Sequence, residues 1–233
     1  LAAVGSTGSY VNLLFGFFVG LASGATVILA QFFGGRNAQG VHDSVHTAMA
    51  LSLLAGLAVT IAGLLTSKLA LDLMNVPENI YDDALIYLQI FFLGMIPLVV
   101  YNVGAGILRA VGDSKSPLYF LIASCLINVV LDLLFVAVWR GGAAGAAIAT
   151  VISEAISAAM VTVALMRRKD SCHLALREIR ISRPILKDTL AIGIPGGLQA
   201  VMYSASNMIV QTVVNGFGSD SVAAWTANSR MDG

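Results

Sequence analysis

The strongest constraint on this chain is where its charges are missing. Six stretches, at about 6–33, 44–66, 84–107, 117–138, 143–165 and 189–214, are apolar and almost free of ionised side chains. A helix needs about 20 mostly apolar residues to cross the hydrocarbon core of a bilayer. In lipid such a helix satisfies its own backbone, which is what that solvent demands. The expected fold is therefore all-α integral membrane, a polytopic helical bundle, with a seventh apolar run beginning near Val222. Composition agrees. Hydrophobic residues make up 58% of the 233 residues and charged residues 11%, against about 25% charged in soluble domains. A soluble protein of this composition would expose large apolar patches. The net charge is zero, so nothing points to a nucleic-acid partner.

Loop charge sets the expected orientation. Loops 34–43, 109–116 and 166–188 hold Arg36, Arg109, Lys115, Arg167, Arg168, Lys169, Arg177, Arg180, Arg183 and Lys187. The alternate loops, 67–83, 139–142 and 215–221, hold only Lys68 and Arg140. The first set is expected on the cytoplasmic side of a cell membrane, with 166–188 a solvated loop. Leu1 is not a Met, and no charged leader precedes the first run, so a signal peptide is not expected. Both ends read as cuts within a longer chain. Pro97 and Pro195 fall in or near spans, as kinks in moving parts or as static packing features. Cys125 and Cys172 give no disulfide framework.

Two spans carry an ionised residue, which costs about 2.5–3.5 kcal/mol on insertion scales. Asp132 has Asn128 one turn before it on the same helix face. Carboxylate and amide oxygens suit a small hard cation such as sodium. Alternatively the carboxyl exchanges a proton, or it is structural glue between helices. Asp132 and Thr150 are expected at similar depth, roughly 12–15 Å below the turn near Arg140 to Gly142, so Thr150 is a third candidate. Glu154, one turn deeper than Thr150, either joins this site as an accessory or pairs elsewhere. The fifth span opens with small residues, Ala143 to Ala149, suited to close helix packing. His42 and His46 have the i, i+4 spacing of some metal sites, but no third ligand is evident. No nucleophile elbow, zinc-protease or phosphate-loop motif is present, so no enzyme and no cofactor are expected.

Several short stretches resemble the multidrug and toxic compound extrusion (MATE) family of bacterial antiporters. They are Val27-Ile28-Leu29-Ala30-Gln31-Phe32-Phe33-Gly34-Gly35, the run Gly106 to Pro117 (GILRAVGDSKSP), the Asn128-x-x-x-Asp132 pair, Gly145 to Thr150, Gly193-Ile194-Pro195, and Phe217 to Ala224 (FGSDSVAA). They occur in family order over nearly the whole chain. A weak echo between Leu1-Ala2-Ala3 and Val222-Ala223-Ala224 suits a transporter built of two repeats.

The resemblance implies a twelve-helix, two-lobe transporter. On that mapping 1–165 is the amino-terminal lobe from helix two to helix six, with helix one missing. Residues 166–188 are the inter-lobe loop, and 189–233 begin the carboxy-terminal lobe. It further implies export of an organic, cationic and amphipathic compound by proton- or sodium-coupled antiport, in a protein monomeric at full length. Asn128, Asp132 and Thr150 match coupling-site positions, and their partner Asp lies on the missing helix. Met202 to Asn207 contain no carboxylate where some sodium-coupled relatives carry a Glu, which favours coupling through Asp132. A lipid-linked oligosaccharide flippase of the same superfamily is the alternative, although its central cavity calls for cationic residues that here sit in loops. A receptor or assembly subunit is the more distant one.

Overall fold

A computed structural model describes residues 16, 20, 23–73, 78–139 and 141–215, all helical or in short connections. The helices are α1 (Ser23–Gly34), α2 (Ala38–Leu73), α3 (Glu78–Leu93), α4 (Met95–Ala110), α5 (Lys115–Asp132), α6 (Gly142–Arg167) and α7 (Arg183–Asn215). Among the described residues, α2, α5 with its extension, and α6 are each long and apolar enough to cross a membrane. The bent pair α3 and α4 makes a fourth such unit. Most of the first expected span, and all of the seventh, lie outside the described residues. So do Arg140, both tripeptides of the echo and Phe217 to Ala224. The sixth expected span falls inside α7, which is long enough but carries Gln199, Asn207 and Gln211 and is less apolar than the others.

Local chemistry sets the helix ends. Helix α4 closes with a Schellman motif: the Gly112 amide donates to the Arg109 carbonyl, and the Asp113 amide to Leu108. Gly112 takes φ +87, a region a side chain would resist. Helix α1 ends in the same way, with Asn37 bonded back to Phe32. Asn37 then caps α2, its Oδ1 accepting from the Gly40 amide at 2.9 Å.

The third expected span, 84–107, is one unit broken in two. Helices α3 and α4 meet at Gly94 with a bend of 44°. The break lies three residues before Pro97, and the cause is that proline. Its ring has no N–H and crowds the carbonyl four residues back, that of Leu93. Thr60 of α2 reaches into the joint, donating to the Phe92 carbonyl at 2.8 Å.

Helix α6 stands at the centre, against α3, α4 and α5. Gly145, Ala149, Ser153 and Ser157 form a buried row of small side chains along it. A Cβ on Gly145 would come within 3.0 Å of the Phe135 carbonyl oxygen, so the α5–α6 hairpin is tight at its closed end. The small-residue opening of this helix does the packing work expected of it.

A second close approach joins the ends of the described chain. A Cβ on Gly20 would run into the backbone of Gly197, and one on Gly24 would lie 2.5 Å from the Thr189 carbonyl oxygen and 2.7 Å from the Gly193 nitrogen. Two glycines one turn apart thus face two glycines one turn apart on α7, and backbone meets backbone.

The loop 166–188 keeps its cations in solvent, as its charge suggests, but it is also pinned to the bundle by a few buried residues. Helix α6 runs to Arg167 and α7 starts at Arg183, so the connection is shorter than expected and folds back over the bundle. Cys172 and Leu174 are fully buried in the same core as Val45, Met49 and Leu165. Leu174 bonds back to the Leu165 carbonyl. Arg180 pairs with Asp43 at 2.9 Å, and Arg168 reaches Asp113 at 3.8 Å. All three basic loops therefore gather at one end of the bundle, as the alternation of charge requires. Burial of Leu174, worth about 1.5–3 kcal/mol, with the smaller Cys172 beside it, explains why a charged segment docks at all.

Candidate coupling site

Helix α5 is α-helical only as far as Asp132. From Leu133 to Val138 the chain continues as a π-helix. The Leu133 amide is shared between the Val129 and Val130 carbonyls, and the Trp139 amide reaches five residues back to Leu134. The Gly141 amide then bonds to Phe135 at 2.8 Å. Gly142, at φ +56, makes the turn into α6. Widened turns of this kind recur at functional positions in helices. They re-aim the residues at their edge, and Asp132 is that edge.

The side chain of Asp132 is partly buried, as is that of Asn128. Asp132 Oδ1 and Asn128 Nδ2 are inaccessible to solvent and have no hydrogen-bond partner among the described residues. Buried polar atoms are nearly always paired, and each exception needs a reason. Here an unpaired acceptor and an unpaired donor lie one turn apart, beside a carboxylate in a membrane span.

The other two sequence candidates are held on their own helix. Thr150 donates its hydroxyl proton to the Ala146 carbonyl at 3.0 Å, which leaves only its oxygen lone pairs to offer an ion. Glu154 accepts from Ser157 at 3.4 Å within α6, and its charge reaches Tyr101, whose hydroxyl donates to the Pro117 carbonyl. No hydrogen bond joins Glu154 to Asp132. Asp132 instead lies within electrostatic reach of Tyr87 on α3. Sequence reading passed over Tyr87. It sits 45 positions from Asp132 and on another helix, so no spacing rule links them.

His42 and His46 do acquire a third neighbour. Glu178, carried by the folded-back loop, places Oε2 3.3 Å from His42 Nε2. The three residues offer ligand atoms within 4.8 Å of one another. Yet both ring nitrogens of His46 already have backbone partners: Nδ1 lies 2.8 Å from the His42 carbonyl oxygen, and Nε2 accepts from the Ala175 amide at 3.1 Å. The donor set is occupied from within, and His46 is buried rather than loop-facing.

A protein-family model described as MatE matches residues 1–134. A probable multidrug resistance protein of Bacillus subtilis, YpnP, is 34% identical over 99% of this chain and 51% of its own length. A solved multidrug resistance MATE family transporter in its outward-facing conformation superposes with a TM-score of 0.91 at 28% identity, covering 100% of this chain and 52% of that one. An inward-facing structure of a MATE family transporter superposes with 0.84 at 28% identity, over 99% and 53%. The chain spans about half the length of the curated relatives it matches.

Proposed function

The chain belongs to the MATE family of membrane transporters, which are not enzymes, and on that premise we propose that it serves secondary active efflux of organic compounds, coupled to protons or sodium by alternating access. One observation carries the coupling part: Asp132 and Asn128 hold buried polar atoms with no partner among the described residues, where α5 changes from an α- to a π-helix. A site kept unsatisfied in lipid stabilises nothing by itself. It is suited to an ion or proton that comes and goes. Binding neutralises Asp132, removes the penalty of the buried charge and shifts the balance between two helix arrangements. Asn128 supplies an amide oxygen beside the carboxylate, and Thr150 an oxygen from α6. Glu154 is an accessory, its side-chain hydrogen bond being to Ser157 on its own helix.

The cargo is read as cationic and amphipathic, in line with the multidrug resistance named for the Bacillus relative. The basic loops support reading the end that carries 34–43, 109–116 and 166–188 as the cytoplasmic side of a plasma membrane. Residues 1–165 are read as part of one lobe, 166–188 as the connection and 189–233 as the start of the other, in a transporter that works as a monomer.

The test uses the full-length transporter in sealed vesicles, with a proton or a sodium gradient imposed separately. Asp132→Asn is expected to abolish gradient-driven efflux while leaving the protein folded. Efflux undiminished by Asp132→Asn under both gradients would refute the coupling role.

A further inference from the structure

The docking of the 166–188 loop onto α2 fixes the proton on one buried histidine. His46 is 1% exposed. Its Nδ1 faces the His42 carbonyl oxygen, which can only accept, so Nδ1 must carry the hydrogen. Its Nε2 faces the Ala175 amide, which can only donate, so Nε2 must be bare. The geometry points to His46 as a positioning residue that holds the connection between the two halves only while neutral. A second proton on the ring would set N–H against N–H at 3.1 Å, inside a buried core. Docking of the loop and protonation of His46 exclude each other.

Other charged groups stand around the ring. On α2, the His42 ring lies 4.2 Å from that of His46, and Asp43 follows it. From the loop come Glu178 beside His42, Arg180 paired with Asp43, and the buried thiol of Cys172. His42 lies 3.8 Å from Asp43 and 3.3 Å from Glu178, contacts that a positive charge on it would tighten rather than break. The Ala175–Glu178 turn is short, with the Glu178 amide bonded to the Ala175 carbonyl, so losing the Ala175 anchor frees the turn as a unit. This device needs no transport to operate and holds whichever ion drives efflux.

The experiment uses the full-length protein in nanodiscs, with native cysteines replaced and spin labels at Ala38→Cys and Arg177→Cys, both exposed positions. Electron–electron distances are measured at about pH 7.5 and about pH 5.5, the two sides of the imidazole range. A single short distance is expected at the higher pH, and at the lower a rise in the longer-distance population of up to about tenfold, the most that one unit below an ordinary imidazole value supplies. His46→Gln keeps a neutral acceptor near Nε2 and should retain the short distance at both. His42→Gln should respond to acid as the parent does. An unchanged distance in the parent, an acid response surviving in His46→Gln, or one lost in His42→Gln would overturn the assignment. So would a distance that changes on adding zinc at constant pH, because the rings would then be holding a metal.

Discussion

Ser124 of α5 donates its hydroxyl to the backbone carbonyl of Ser153 on α6, 2.9 Å away and fully buried. It is a polar tie between the two helices that carry the coupling candidates, one turn before Asn128 and one residue from Glu154. Ser124 and Pro117 are the only fully buried residues of α5; Asn128 and Asp132 are half-buried, and most of the remaining side chains face outward.

Removing that tie should loosen α5 without touching Asp132. Ser124→Ala leaves the Ser153 carbonyl with its own helix bonds and takes away one interhelical contact, worth about 0.6 kcal/mol on average in membranes and at most about 1.7. A thermal unfolding scan of the purified full-length protein should show a small fall in Tm, with efflux slowed rather than abolished. An unchanged Tm would show that the tie contributes nothing to holding α5.

The α1–α7 crossing predicts a sharper effect. Gly24→Val would drive a branched side chain into the backbone of Thr189 and Gly193, neither of which can yield as a side-chain tip would. Gly34→Ala, on the same helix, meets nothing within 4 Å and serves as the control. Overpacking of this kind costs about 1–3 kcal/mol. The valine variant should lose several degrees of Tm, and the alanine control none.

Acid stability should follow the carboxylates at the docked loop. The hydrogen bonds from Arg168 hold Asp170 below the usual carboxylate range, outweighing its partial burial. Burial pushes Asp113 up, but the amide and hydroxyl of Ser116 together with Arg168 bring it down overall. Both groups favour the ionised form more in the folded protein than in the unfolded chain. Their stabilisation is therefore complete above about pH 4 and lost as pH falls through the lower folded values. These groups are near the surface, so the effect is modest. Arg168→Ala should flatten the fall of Tm between about pH 5 and about pH 3, while leaving the imidazole-range behaviour of the loop intact.

The membrane class and the α-helical architecture were legible because both follow from sums over many residues. Long charge-free runs and a lopsided distribution of Lys and Arg need no partner to be read. Asp132, Asn128 and the small-residue start of α6 were legible for a related reason: each is an exception, or a repeat, within a single helix. What escaped were pairings across elements. Nothing local links Tyr87 to Asp132, or Ala175 to His46. The loop keeps its many cations in solvent, yet two apolar residues among them, Cys172 and Leu174, decided its place. The bend was placed near Pro97, but proline acts on the carbonyl of the preceding turn, so the break falls at Gly94. The π-helix after Asp132 left no mark in composition, since Leu133 to Val138 read as ordinary apolar helix.

The crossing of α1 on α7 has a mechanical side. At Gly20, Gly24, Gly193 and Gly197 there are no side chains to interlock, so contact is made by smooth peptide ridges. Parting such surfaces frees no trapped rotamer, and rejoining them requires none to be found again. The seam behaves at these points as a plain bearing rather than a set of meshed teeth: it holds by close fit, and it opens with little friction.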